Sequence, residues 1–240
     1  MIAAVPAPAP SFGLIDQLLR DRDAMLAKIA AGRDLASIMR VMVATIAIAM
    51  AIVGAAIGSY RGGVQIGYAA IKLPLVLLGT AALSAPALTA LGAALGRRVR
   101  LAGDLALVVT ALAFGAMLLA ACTPLILLGR AMDVSYHSMV LGLVGMFAIA
   151  GCASLRMIVH ALSLENGPGR SSSIIGLCIV FALVGGQLSW ALRPYLVRPR
   201  AQDVPFVRDV SDTLVDAITG TLRSARGIYV RDGAPLPGEH

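Results

Sequence analysis

VMVATIAIAMAIVGAAI (Val41–Ile57) carries no charged side chain and a single hydroxyl, that of Thr45. A bilayer core takes roughly 20 apolar residues per helical crossing, so this run reads as a transmembrane helix. Moving toward the C-terminus, similar runs lie at Ile66–Leu95, Leu105–Leu128, Ser138–Leu162 and Ile174–Leu196. The second run is long enough to tilt, or to kink at Pro74 and Pro86. The third has Pro124 near its end. Polar joints separate the runs: Gly58–Gln65, the arginines Arg97, Arg98 and Arg100, the pair Arg130 and Asp133, and a turn over Ser163–Ser172. Residues 41–196 are thus expected to form an all-α integral membrane bundle of about five transmembrane helices.

The flanks differ from the spans. Residues 1–11, with alternating Pro and Ala, read as a disordered leader and not as a secretory signal, because no basic segment precedes a long apolar core. Over residues 12–40 the pattern is an amphipathic helix, Phe12–Ala31, followed by a connector. Ile15, Leu18, Leu19, Met25, Leu26 and Ile29 recur at helical spacing among charged residues. Gly32 ends the pattern, and Asp34 is placed to cap the next helix. Residues 197–230 carry a second amphipathic pattern through Val207, Val210, Leu214, Ile218 and Leu222, acidic early and basic late as the helix dipole favours. The tail 231–240 is expected to be disordered. Both amphipathic helices are candidate contact surfaces for a protein partner, with Leu18, Leu19, Leu26, Leu214 and Ile218 as the contact residues.

Charged residues make up 14% of the chain and hydrophobic ones 58%, against about 25% charged in soluble domains. The net charge of +7 does not mark a nucleic-acid binder, because eleven of the 20 basic residues fall within residues 41–200. They cluster at the joints, where lipid headgroups would meet them. With the N-terminus in the cytoplasm, Lys28, Arg33, Arg40, Arg97, Arg98, Arg100, Arg156 and Arg170 lie inside. Arg61, Arg130, Arg193, Arg198 and Arg200 then lie outside. The inside excess predicts a cytoplasmic N-terminus. Cys122, Cys152 and Cys178 fall inside spans without metal-ligand or disulfide-framework spacing, so they read as small buried hydrophobes.

Polar side chains within the spans are the functional candidates. These are Lys72, Arg156, His160, Gln187 and Arg193. Arg156 and His160 are one turn apart and share a helix face. For Lys72, Arg156 and Arg193 the plain reading is snorkelling to the nearest interface. The functional alternative is an anion or headgroup pocket where two or three of them converge. His160 reads as an interface histidine without a second metal ligand at coordination spacing, and Gln187 as an interhelical hydrogen-bonding residue.

From Val41 to Leu196 the only carboxylates are Asp104, Asp133 and Glu165, all in joints. Proton or sodium coupling commonly uses buried carboxylates or unwound helices, so a coupled transporter is disfavoured. The chain has no G-x-S-x-G elbow, no H-E-x-x-H and no phosphate-binding lysine loop, and Ser135, His137 and Ser138 are merely adjacent. The expectation is a protein that is not an enzyme and holds no cofactor or metal. Glycines four apart (Gly54 and Gly58, Gly63 and Gly67, Gly92 and Gly96) permit close helix packing or oligomerisation.

Ser59–Leu88 (SYRGGVQIGYAAIKLPLVLLGTAALSAPAL) and Gly185–Leu196 (GGQLSWALRPYL), followed by PFVRD at Pro205–Asp209, resemble an uncharacterised family of bacterial multi-span membrane proteins often labelled Yip1-like. The resemblance covers most of the chain from about Leu14 to Asp209. Its landmarks are Lys72 with Pro74, and Gln187, Trp190, Arg193 and Pro194. It implies a bacterial cytoplasmic membrane, five spans and a cytoplasmic N-terminus, and it implies no activity. The expected function is a scaffold, accessory subunit or partner-dependent membrane effector that contacts lipids and either a protein partner or further copies of itself. A channel or pore for small solutes, anions among them, is the alternative.

Overall fold

A computed structural model describes residues 11–94, 100–164 and 170–191 of the 240. Among these the chain forms eight helices and no strand: α1 (Ser11–Arg20), α2 (Arg22–Ala30), α3 (Leu35–Gly58), α4 (Val64–Ala94), α5 (Leu101–Ala121), α6 (Thr123–Ala131), α7 (Tyr136–Leu164) and α8 (Arg170–Ala191). Four segments are long and apolar enough to cross a membrane: Leu35–Gly58, Val64–Ala94, the α5–α6 unit Leu101–Ala131, and Ser138–Leu164. This is a helical membrane protein. The fifth expected run, Ile174–Leu196, begins within α8, whose apolar stretch among the described residues, Ile174–Gly186, is shorter than a crossing.

Helices α3, α4 and α5 pack on one another, α8 lies against α4, and α7 lies against α5. α4 runs antiparallel to α3 and to α8. Gly54 and Gly58 of α3 face the backbone of α4 at Ala69–Ala70 and Gln65–Ile66. Gly115 of α5 faces Ala150 and Ser154 of α7, and Gly79 and Gly176 meet Leu188 and Leu91 across the α4–α8 contact. The core is built from Met42, Ile46, Met50 and Val53 of α3, Leu73 and Leu88 of α4, Val108 of α5 and Ile158 of α7.

Two prolines do not break α4, which stays continuous over 31 residues through Pro74 and Pro86. At 1.5 Å per residue such a helix exceeds the roughly 30 Å hydrocarbon core, so tilt or protrusion accommodates the excess. Pro124 acts differently. The single expected run Leu105–Leu128 is divided at Cys122, with α6 restarting at Thr123 and Pro124 in its first turn. Proline lacks the N–H for an intrahelical bond and fits the first turn of a helix, where that donor is not needed.

The N-terminal amphipathic segment is also divided, against the expectation of one helix over Phe12–Ala31. Asp21 separates α1 from α2, and its side chain accepts from the Ala24 N–H at 3.1 Å, capping α2. Lys28 Nζ donates to Gln17 Oε1 at 2.7 Å and ties the two helices together. Their apolar residues Leu14, Leu18, Met25, Leu26 and Ile29 are buried against the chain's own bundle, where α1 meets α3 and α2 meets α5. Asp34 stands before α3 in the left-handed region (φ 55°) and makes no side-chain cap, contrary to expectation. Its carbonyl accepts from the Ser37 and Ile38 N–H groups instead.

Candidate functional site

Four of the buried polar groups lie on one face of α4. Gln65, Lys72, Thr80 and Ser84 are all buried, and their spacings of seven, eight and four residues keep them on the same side of the helix. Lys72 is 0% exposed, so the rest of the chain covers its side chain. Nearer the C-terminal end of α4, Thr89 Oγ1 donates to Asp104 Oδ2 of α5 at 2.9 Å. Sequence alone puts Asp104 in a joint, yet it lies within the first turn of α5 and is buried. Among the described residues the buried hydroxyls of Ser84, Thr110 and Thr123 have no hydrogen-bond partner. Ser84 lies five residues before Thr89 and Thr110 six after Asp104, so on antiparallel helices the two sit at a similar depth.

Arg156 and His160 do share a face of α7, as their spacing requires, and both are exposed. His160 Nε2 lies 3.0 Å from Asp23 Oδ1 and so links α7 to α2. Arg22 places its guanidinium carbon 4.3 Å from the centroid of the Phe114 ring on α5. Together Arg20, Arg22, Asp23, Phe114, Arg156 and His160 line a recess of about 580 Å³ between the α1–α2 hairpin and α7. The sequence pointed to Arg156 and His160 but missed Arg22, Asp23 and Phe114, because the hairpin fold that brings them there carries no spacing signal.

The other sequence candidates divide. Leu18 and Leu26 are buried inside the fold, so their apolar surface is committed to this chain, whereas Leu19 is exposed. The Gln187 side chain, Arg193, Leu214 and Ile218, with the whole C-terminal amphipathic pattern, lie outside the described residues. Cys152 is exposed on α7, and Cys122 and Cys178 are half-buried, so the expectation of three buried cysteines is not met. Ser135 and Ser138 form a helix cap: their hydroxyl oxygens are 2.9 Å apart, and the Ser138 N–H donates to Ser135 Oγ at 3.3 Å. Among the described residues no group of three or more His, Cys, Asp or Glu could hold a metal ion.

The outward face of α7 is the other organised surface. Its apolar window is only 22% covered, the least of the four spans. Leu141, Gly145, Ala148 and Cys152 are exposed at spacings of four, three and four residues, and Gly142 and Gly145 have open space where a Cβ would stand. Spacings of three and four residues keep these positions in one row along the helix.

No family model, curated protein or solved structure matches the chain, and nothing in those comparisons identifies a Yip1-like family.

Proposed function

We propose that this chain is a non-catalytic scaffold or accessory subunit of a membrane assembly, and that α7 is the span through which it meets its protein partner. The observation that carries the proposal is the seam Leu141, Gly145, Ala148 and Cys152, left open on the least covered span. Lipid alone would cover any apolar face equally well. Three small residues of that row, Gly145, Ala148 and Cys152, also let a second helix backbone approach closely, and helix association in membranes depends on such packing. In this reading α8 completes a fifth crossing, and the N-terminal hairpin lies on the cytoplasmic side of a bacterial cytoplasmic membrane. The basic residues at that end of the spans support the orientation.

The test is purification of the tagged full chain from its native membrane in mild detergent, with mass determination of the eluate. The expected result is a complex heavier than the 24.7 kDa chain, reduced to the single chain by Gly145→Ile with Ala148→Leu. A single chain in every preparation would overturn the proposal.

A second reading, a path for small solutes, is favoured by the buried polar face of α4. It requires liposome flux that falls when Lys72 is replaced by Met. Flux that is absent, or unchanged in that variant, removes it.

A further inference from the structure

The recess between the hairpin and α7 is lined by three arginines and by Asp21 and Asp23, and each carboxylate around it has a partner. Asp16 pairs with Arg20 at 2.6 Å, Asp21 caps α2, and Asp23 faces His160 at 3.0 Å. Arg22 and Arg156 form no ion pair with any described carboxylate. Arg22 is held by the Phe114 ring, a contact that fixes the guanidinium without neutralising it. Two such groups flanking one cavity are suited to an oxyanion that accepts paired N–H donors.

The depth of the recess narrows the choice of anion. Along the outward face of α7, Leu141, Val144 and Ile149 are exposed and apolar, and the first exposed charge is Arg156, one turn beyond Cys152. That change marks where hydrocarbon gives way to headgroups. The cavity, about 580 Å³, is within the range that takes a small organic ligand and larger than a bare phosphate needs.

We propose that this recess binds the phosphate of an anionic lipid headgroup between the guanidinium groups of Arg22 and Arg156. Arg22 stands on α2 and Arg156 on α7, and the His160–Asp23 contact bridges the same two helices beside them. This site is independent of the α7 seam, whose small residues lie nearer the middle of the span.

The test is native mass spectrometry of the full chain in mild detergent, titrated with phosphatidylglycerol and, separately, with phosphatidylcholine. The expected result is one phosphatidylglycerol per chain, preferred over phosphatidylcholine. Arg156→Gln and Arg22→Gln should each weaken it about tenfold, the scale of losing a hydrogen bond to a charged group. Arg156→Lys should restore part of the loss, and Arg130→Gln, at the far end of the bundle, should change nothing. Arg156 is exposed, so its variants keep the fold even if Arg22→Gln does not. Wild-type binding by Arg156→Gln, or equal binding of the two lipids, would overturn the proposal. Displacement of the lipid by inorganic phosphate at equal concentration would assign the site to a free anion and overturn the lipid assignment.

Discussion

At Gly54 a Cβ would run into the carbonyl of Ala69 and come within 2.8 Å of the Ala70 Cα, and at Gly58 it would stand 2.7 Å from the Ile66 Cα. These are backbone atoms and cannot swing aside as a flexible side chain would. Gly54→Leu or Gly58→Leu is therefore expected to push α3 off α4, at the upper end of the roughly 1–3 kcal/mol typical of overpacking or beyond it. Gly67→Leu meets open space and should leave the thermal midpoint unchanged; the melting temperatures of the three purified variants check the ordering. The four-residue glycine spacing is visible in the sequence, but spacing alone does not identify the surface that a glycine faces. Thr89 makes the same point for polar contacts. Its hydroxyl bonds both Ala85 O and Asp104 Oδ2. Thr89→Val keeps the shape and removes the donor, so a loss of about 1–3 kcal/mol is expected, read from denaturation in detergent.

The elements show which sequence signals survive folding. Of the six residues that apolar periodicity puts on the N-terminal amphipathic face, Leu18, Met25, Leu26 and Ile29 are covered, whereas Ile15 is half-buried and Leu19 exposed. Periodicity does not show that Asp21 divides the segment, because a capping side chain depends on local backbone geometry rather than on the apolar pattern. Nor does it show that the bundle itself covers the apolar face. A covered face at Leu18 (0% exposed) makes Leu18→Asp costly, because an unpaired charge would be buried. The expected outcome is release of α1–α2 from the bundle, seen as rapid tryptic cleavage at Arg20, Arg22 and Lys28 while the spans stay intact. Asp23→Ala removes only the exposed contact to His160, worth no more than about 1 kcal/mol, so its cleavage should stay close to wild type. Lys72 is a related case: its place near the end of the span is legible in the sequence, and only the packing around α4 shows the side chain covered.

For the molecule as a whole, hydropathy locates four crossings within a few residues of their ends, because each run must supply its own backbone hydrogen bonds and an apolar surface to lipid. It cannot rank the spans by how much the bundle covers them. That ranking separates α5–α6, 56% covered, from α7 at 22%, and it is the basis for regarding α7 as the contact span. The most direct measurement places a photo-crosslinking amino acid at Ile149, on the flank of the α7 seam and 66% exposed, and separately at Ile48 on α3, 64% exposed. Illumination is carried out in native membranes. The account predicts a discrete adduct of higher mass from Ile149 and none from Ile48. A chain that remains at its own mass from both positions, or forms the same adducts from both, would contradict it.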